Sequence, residues 1–372
     1  MKKLLAAALT ALFLLFPAAA VVGSPQVAAP SYILMEKNTG TILCEQDSHT
    51  KYEPASVTKI MTLLLTFEAL KNGSIALDQT VTASAHATSM GGSQIWLEEG
   101  ERITVEELIK AVAVVSANDC AVALAELLAG SESAFVERMN VRAAELGMAD
   151  TTFHNCTGLP AQGHLTSAHD IALMSRALLK HDAIRKYTTV WMDSVRNGSF
   201  GLTNTNKLVR FYDGATGLKT GFTSGAGYCL SASAKRDGME LIAVVMHCDT
   251  SVNRFESAKA LLSYGFAGWC LLQPEPETPP EPVPVVMGTA ESVMPVPAES
   301  TPLLLDKALQ KRVTCRTELL PELEAPVEKG QQIGTLTVEA DGHTRYVPLY
   351  TGATKAIRAY LNNGRKYLGL QW

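Results

Sequence analysis

The chain has 372 residues, of which 47% are hydrophobic, and its formal net charge is −5. This mildly acidic balance gives no reason to expect nucleic acid as a partner. Because no long apolar segment follows the N-terminal one, the composition predicts a soluble globular body, and the length suggests about two domains.

Residues 1–20 have the pattern of a secretory signal. Lys2 and Lys3 precede an apolar segment over residues 4–16, and a small-residue cleavage site follows at residues 17–20. The apolar run is too short for a membrane span. We therefore expect the mature chain to begin near Val21 and to act outside the cytoplasm.

The seven cysteines have wide spacings and mostly apolar neighbours, and their number is odd. This pattern favours buried thiols over a disulfide framework. The sequence contains no Cys-x-x-Cys and no His-Glu-x-x-His. We therefore predict neither a metal site nor a cofactor.

The first elements in chain order are a hairpin and a series of helices. Alternating residues over 31–47, with a turn at residues 38–40, predict the β-hairpin. The apolar run after Pro54 predicts a helix that begins near Ser56. Helical periodicity follows, and Thr104 with Glu107 has the pattern of a capping box; the helical segments are residues 105–128, 133–146 and 168–180.

The pattern changes to strands after residue 204. Two β-type runs, residues 228–234 and 240–246, are joined by a turn at residues 236–238. A helix over residues 254–264 then ends at Gly265. Strands at both ends of this region, with helices between them, predict an α+β domain over residues 24–272. Its antiparallel sheet is closed by distant segments and carries an inserted helical part.

Residues 273–284 are rich in Pro and Glu, which predicts a stiff linker and a domain boundary. Beyond it, a small all-β domain is expected over residues 285–352; its strand-like runs are residues 285–294, 313–319, 332–339 and 343–349. Residues 353–372 form a basic amphipathic tail. Contact with an anionic membrane surface and ordinary docking of a helix explain this tail equally well.

The first candidate for chemistry is the pair Ser56 and Lys59, one helical turn apart. A serine at a helix N-terminus lies where developing negative charge is favoured. A lysine half-buried beside an apolar helix has a lowered pKa and can act as a base. By itself the pair also fits a serine that caps a helix. A second Ser-x-x-Lys, Ser48 with Lys51, lies in a polar stretch with no helix to hold it.

Two further short motifs follow in the chain. Ser116 and Asn118 lie where one predicted helix ends and the next begins, and Lys219, Thr220 and Gly221 lie on a late strand-like segment. Each motif alone is weak evidence for an active site. Together and in this order, the three motifs are typical of serine acyl-enzymes that react with penicillin.

On these motifs the sequence resembles the low-molecular-mass penicillin-binding proteins, the serine-type D-alanyl-D-alanine carboxypeptidases. The resemblance covers about residues 30–270, and the trailing β-domain resembles the family's C-terminal domain; further matching stretches are residues 32–35, 146–148, 157–159 and 264–266. It implies a β-lactamase-like fold and removal of the terminal D-alanine from peptidoglycan stem peptides. It also implies inhibition by β-lactams, a site in the cell wall space or at the outer face of the bacterial cytoplasmic membrane, and, in some members, an amphipathic membrane anchor.

The resemblance also implies roles for the first two motifs. Ser56 would be the acylated nucleophile and Lys59 the base that takes its proton. Ser116 would relay a proton to the leaving D-alanine amine, and Asn118 would hold the acyl amide.

For the third motif, Lys219 would keep the site positive and attract the substrate carboxylate, to which Thr220 would donate a hydrogen bond. Gly221 would let the substrate backbone approach the strand edge. The backbone N–H groups of Ser56 and Phe222 would form the oxyanion hole. Arg254 would lie near the carboxylate pocket, although a surface arginine on a helix explains it equally well.

Other activities fit the sequence less well. There is no Gly-x-Ser-x-Gly and no recognisable catalytic histidine, which disfavours a histidine-based serine hydrolase. No glutamate occurs between Glu145 and Glu240, where a class A β-lactamase needs one for deacylation. A non-catalytic wall-binding or β-lactam-sensing module remains an alternative. So does DD-endopeptidase or transpeptidase activity, because the same acyl-enzyme can pass to an amine.

Overall fold

The computed structural model describes residues 24–272, 278–288, 290–297, 303–340 and 343–351. The predicted signal segment and the predicted basic tail, with its membrane contact, lie outside the described residues, as do residues 273–277 of the predicted linker.

Residues 24–272 form a mixed α and β body. Its elements are β1 (Ser31–Glu36), β2 (Ile42–Gln46), α1 (Lys59–Lys71), β3 (Thr80–Thr82), α2 (Ala85–Thr88), β4 (Arg102–Thr104), α3 (Val105–Val114), α4 (Asn118–Ala129), α5 (Glu132–Glu145), α6 (Ala168–Leu178), α7 (Arg185–Thr188), β5 (Met192–Val195), β6 (Phe200–Thr203), α8 (Leu208–Phe211), β7 (Ala215–Thr223), β8 (Gly227–Arg236), β9 (Met239–Cys248), α9 (Ser251–Gly268) and β10 (Trp269–Leu272).

Five of these strands form one antiparallel sheet in the order β2, β1, β9, β8, β7. The N-terminal strand β1 pairs with the late strand β9, so that Leu34 lies opposite Ala243. β9 is buried along almost its whole length, as expected for a central strand covered on both faces. The predicted α+β class, with a sheet closed by distant segments, is confirmed.

Helix α9 covers one face of the sheet, and α6 packs on the other face together with α1. The predicted end of α9 at Gly265 is wrong, because this helix continues to Gly268. A Cβ on Gly265 would lie 2.5 Å from Leu241 Cδ1 and 3.0 Å from Leu34 Cδ2. The glycine therefore allows close packing of the helix on the sheet and does not end the helix.

The inserted helical part lies between β2 and β7. The helical pattern of residues 105–128 belongs to two helices, α3 and α4, which are separated by a short break. Thr104 and Glu107 form the predicted capping box at the start of α3. At the break, Ser116 has a left-handed backbone with φ 67°, a conformation that is strained for a residue with a Cβ.

The described residues after 277 form strands, which confirms the all-β class of the C-terminal part; they are β11 (Val283–Val286), β12 (Ser292–Val293), β13 (Pro295–Pro297), β14 (Leu303–Asp306), β15 (Thr314–Leu319), β16 (Leu323–Glu324), β17 (Gln332–Ala340) and β18 (His343–Thr351). The predicted single run over residues 285–294 is divided between β11 and β12. Unlike the other strands, β14 pairs with β10 of the N-terminal part. Lys307 Nζ reinforces this junction by donating to Phe266 O at 2.6 Å.

The four cysteines of the N-terminal core, Cys120, Cys156, Cys229 and Cys248, are buried free thiols, as their apolar neighbours predict. Among the helices of the described ranges, none has both the length and the apolar character needed to cross a bilayer.

Candidate active site

Ser56 lies in a single turn of 3₁₀ helix, Ala55–Thr58, immediately before α1. The prediction of an α-helix that begins near Ser56 is therefore wrong by one turn. Ala55 has a left-handed φ of 47°, which is incompatible with an α-helical start at this position. Residues three apart also stack in a 3₁₀ turn, so Ser56 Oγ still lies 3.1 Å from Lys59 Nζ. The Ser56 side chain caps neither helical segment.

The Lys59 ammonium is fully buried and surrounded by oxygen atoms. Besides Ser56 Oγ, Nζ lies 2.5 Å from Asn118 Oδ1 and 2.6 Å from the backbone oxygen of Thr157. Burial lowers the pKa of Lys59 to about 7, against weaker opposing effects of Cys156 and Asp119. Both carbonyl-type oxygens can only accept hydrogen bonds. A neutral Lys59 therefore donates its two hydrogens to them and directs its lone pair at Ser56 Oγ.

The second motif lines the other side of Lys59. Asn118 donates from Nδ2 to Gly91 O at 2.6 Å, and its backbone N donates to Ser93 O. Ser116 Oγ is buried, and no hydrogen-bond partner for it occurs in the described part of the chain. Ser116, two residues before Asn118, thus combines a left-handed backbone with a buried hydroxyl that has no described partner.

The third motif lies on β7, an edge strand of the sheet. Lys219 is buried, and its Nζ donates to Thr220 O at 2.9 Å. Burial lowers the pKa of Lys219 well below its ordinary value, and the nearby positive charges of Lys59 and Arg254 lower it further. The hydroxyl of Thr220 lies 2.7 Å from that of Thr205, a residue between β6 and α8.

The structure adds a second reason for a glycine at position 221. A Cβ at Gly221 would lie 2.9 Å from Pro54 O and 3.1 Å from Ser56 N. The missing side chain thus allows β7 to approach the Ser56 turn, and this contact places Lys219 and Ser56 in one site.

Phe222 and Arg254 complete this side of the site. The Phe222 ring is 53% exposed and stacks on Tyr228 at a centroid distance of 4.2 Å. Arg254 is buried, donates from Nη1 to Gly221 O at 3.3 Å, and has no described partner for Nε. Burial lowers its pKa. The structure thus places Arg254 beside β7 and not on the solvent face of α9.

Residues 153–164 contribute groups to the site that the sequence analysis did not assign. The oxygen of Thr157 contacts Lys59, and Gly158, with φ 83°, packs directly on the carbonyl of Ala55. Residues 157–159 match the family resemblance, but that match assigned no role to the backbone oxygen of Thr157. The positive φ of Gly158 is a conformation that favours glycine.

The chain was compared with known families and proteins. Residues 18–250 match the family of D-alanyl-D-alanine carboxypeptidases, and residues 275–355 match the C-terminal domain of penicillin-binding protein 5. The chain belongs to the D-alanyl-D-alanine carboxypeptidase family. It is therefore one of the low-molecular-mass penicillin-binding proteins.

Individual relatives of this family are similar over most of their length. The chain is 41% identical to D-alanyl-D-alanine carboxypeptidase DacF of Bacillus subtilis, over 84% of this chain and 82% of the relative. It is 33% identical to DacA of Escherichia coli, over 87% of this chain and 82% of that protein.

Solved structures of penicillin-binding proteins are also similar to this chain. Penicillin-binding protein 5 of Haemophilus influenzae superimposes with a TM-score of 0.73 at 32% identity, over 89% of this chain and 98% of that one. Penicillin-binding protein D2 of Listeria monocytogenes, solved with ampicillin bound, has a TM-score of 0.60 at 29% identity, over 66% of this chain and 100% of that one.

The family membership excludes two of the alternatives considered above. The chain is neither a non-catalytic wall-binding module nor a histidine-based hydrolase. In the described ranges no group of His, Cys, Asp or Glu side chains is suited to hold a metal ion.

Proposed function

We propose that this carboxypeptidase removes the terminal D-alanine of peptidoglycan stem peptides through an acyl-enzyme on Ser56. One observation carries the proposal: Lys59 Nζ lies 3.1 Å from Ser56 Oγ, and its other two neighbours are oxygens that only accept hydrogen bonds. A neutral Lys59 therefore directs its lone pair at Ser56 Oγ. Lys59 takes the hydroxyl proton while Oγ attacks the carbonyl of the penultimate D-alanine. The carbon–nitrogen bond then breaks, and D-alanine leaves with a proton on its amine.

Ser116 and Asn118 are proposed to serve the departing and the retained halves of the peptide. The unpartnered hydroxyl of Ser116 carries a proton towards the leaving amine. The Asn118 amide nitrogen uses one hydrogen on Gly91 O, so its second hydrogen is available to the acyl amide.

Recognition of the substrate carboxylate is proposed for the cationic side of the site. Lys219 and Arg254 are both buried close to Thr220, and their pKa values are lowered by burial. A carboxylate that enters the site stabilises the charged forms and raises both pKa values again. The Thr220 hydroxyl can donate to the same carboxylate, since Thr205 supplies it with a partner that can donate or accept.

The oxyanion of the tetrahedral intermediate is proposed to lie between the backbone N–H groups of Ser56 and Phe222. Because β7 is an edge strand, its outer N–H groups are not used within the sheet. An extended stem peptide can pair with this edge as an added strand. Each donor to the oxyanion contributes about 3 kcal/mol to transition-state stabilisation.

The proposal is tested with a synthetic peptide that ends in D-Ala-D-Ala. Ser56→Ala should abolish both D-alanine release and covalent labelling by benzylpenicillin, measured by intact mass. The second Ser-x-x-Lys provides the matched control: Ser48 hydrogen-bonds Glu45, and Ser48→Ala should retain labelling and release. A label on any residue other than Ser56, or release by the Ser56→Ala variant, would contradict the proposal.

The place of action is also a proposal. The signal pattern at residues 1–20 supports export, and the peptidoglycan substrate lies in the cell wall space. Binding of the tail at residues 353–372 to an anionic membrane surface is proposed from its basic and aromatic residues. Retention of the full-length protein, but not of a variant that lacks the tail, on vesicles with anionic lipids would support it.

A further inference from the structure

One buried histidine of the domain is not used by the proposed mechanism. His164 is 2% exposed, and its Nε2 lies 2.9 Å from the hydroxyl of Thr58, between Ser56 and Lys59 in the chain. The other ring nitrogen, Nδ1, lies 3.1 Å from the backbone N of His154. Because a backbone N–H can only donate, Nδ1 is the acceptor and the ring hydrogen resides on Nε2, which donates to Thr58 Oγ1.

The segment that ends at His164 also carries the backbone contacts of Lys59 and α1. Thr157 O accepts from Lys59 Nζ at 2.6 Å, and Cys156 O accepts from the Thr62 hydroxyl at 2.7 Å. The His164 ring therefore links residues 153–164 to the 3₁₀ turn that carries Ser56.

We propose that His164 is a positioning residue for Lys59: by linking Thr58 to the backbone of His154, it holds the oxygen of Thr157 on Nζ. This inference rests on the proposed function, in which Lys59 is the base. Without the Thr157 oxygen, a neutral Lys59 has one acceptor fewer, and its lone pair is no longer restricted to the direction of Ser56.

The electrostatic surroundings favour a neutral His164. Burial, together with a smaller effect of the neighbouring His154, lowers its pKa to about 4. The imidazole therefore keeps one hydrogen, and the orientation of the link between Thr58 and His154 stays the same, at any pH well above 4.

The experiment separates the two hydrogen bonds of the ring. In His164→Asn, Oδ1 can replace Nδ1 as acceptor of the His154 N–H but cannot reach Thr58. In His164→Gln, the amide can replace Nε2 as donor to Thr58 but leaves His154 without its acceptor. Since a small displacement of a reacting group costs up to about a hundredfold in rate, we expect each variant to lose about tenfold or more in acylation by benzylpenicillin.

Thr58→Val removes the same link from the other side. It should slow acylation like His164→Asn, and the double variant Thr58→Val/His164→Asn should be no slower than either single variant. Thr66→Val is the matched control, because Thr66 is equally buried on α1 but donates to a backbone oxygen of its own helix, Thr62 O. Its acylation rate should stay within about twofold of the unchanged protein.

The pH profile distinguishes positioning from a loss of stability alone. The oxygen of Thr157 stabilises the charged form of Lys59, so its displacement lowers the pKa of Lys59. In a plot of the acylation rate constant against pH, the acid limb is the range in which the rate falls as the pH falls. In the His164 variants this acid limb should therefore move to lower pH, and the maximum rate at higher pH should decrease. The other groups that face Lys59 remain: Asp119, the buried thiol of Cys156 with its raised pKa, and Lys219.

The outcomes are separable. Unchanged acylation and an unmoved acid limb in both His164 variants, with lower melting temperatures only, would overturn the positioning role. Additive losses in the double variant would also overturn it. Failure of the proposed function would look different, because the unchanged protein would then carry no label on Ser56.

Discussion

At the scale of single residues, the chemistry of this site depends on a lysine that is buried without a carboxylate partner. In the described part of the chain, no Asp or Glu hydrogen-bonds Lys59 or Ser56. An ion pair would stabilise the ammonium and remove the base. Oxygen atoms of uncharged groups satisfy the amine hydrogens and leave the pKa low enough for proton transfer near neutral pH.

The lowered pKa predicts a pH dependence of acylation. Below a pH of about 7, Lys59 is protonated and has no lone pair for the Ser56 proton, so the rate constant for acylation by benzylpenicillin should fall with an inflection near 7. Stopped-flow or quenched labelling between about pH 5 and 9 measures it. A rate that is constant across this range would show that Lys59 does not act as the base.

Gly158 gives a steric prediction at the same scale. Gly158→Ala would place a Cβ against the carbonyl of Ala55 and 2.9 Å from Ser56 N, so acylation should fall by about a hundredfold. Gly147→Ala is the control, because Gly147 is also left-handed but faces open space. It should cost about 1 kcal/mol of stability at unchanged acylation rate. Equal rates in the two variants would contradict the role of the Gly158 contact.

At the scale of elements, one carboxylate joins β9, β7 and α7. Glu240 on β9 is buried, accepts from Thr216 Oγ1 at 2.9 Å on β7, and pairs with Arg185 on α7. Burial of a carboxylate is tolerated here because both of its oxygens have partners. The interaction fixes the start of β7, the strand that carries Lys219.

Replacing this carboxylate should therefore destabilise the domain. Glu240→Ala leaves Arg185 without its buried partner, and we expect a loss of about 3–5 kcal/mol in the free energy of unfolding by urea. Glu256, in an exposed pair with Lys259 on α9, is the control, and Glu256→Ala should change stability by less than about 0.5 kcal/mol. Similar losses in both variants would argue against a specific role of Glu240.

The sequence predicts the elements whose signals are local. The hairpin of β8 and β9 has two β-type runs and the turn Asp237-Gly238, and α3 has its capping box. The 3₁₀ turn at Ser56 and the length of α9 depend on packing between distant segments, which periodicity does not report. The short strand β14 has four residues and a partner in another part of the chain, so its pairing has no local signal.

In the candidate site, too, some residues have a local sequence signal and others depend on packing between distant segments. The motif side chains are recognisable by type and spacing, and the structure brings both Ser56 and Asn118 within hydrogen-bond distance of Lys59. The Thr157 carbonyl and the His164 ring act through backbone geometry and burial. The match of residues 157–159 to the family does not show these contacts, so only the folded chain reveals them.

At the scale of the whole molecule, the fate of the acyl-enzyme follows from what surrounds it. No glutamate occurs between Glu145 and Glu240 to activate water in the manner of a class A β-lactamase. We therefore expect the penicilloyl adduct on Ser56 to be long-lived. Its turnover should be far below about 1 per second, the lower end of typical enzyme turnover numbers. Intact mass followed over time measures its decay, and rapid turnover of benzylpenicillin would contradict this prediction.

The pairing of β10 with β14 has a consequence for attempts to shorten the protein. A fragment that ends at residue 272 would lose β14. The backbone N–H and C=O groups of Trp269–Leu272 that pair with β14 would then have no hydrogen-bond partners. Such an edge recruits other chains, so the fragment should self-associate as its concentration rises, as size-exclusion chromatography would reveal. Leu271→Lys in the fragment should suppress the association, because a charge on an open edge opposes pairing. A fragment that stays monomeric at all concentrations would show that β14 does not shield this edge.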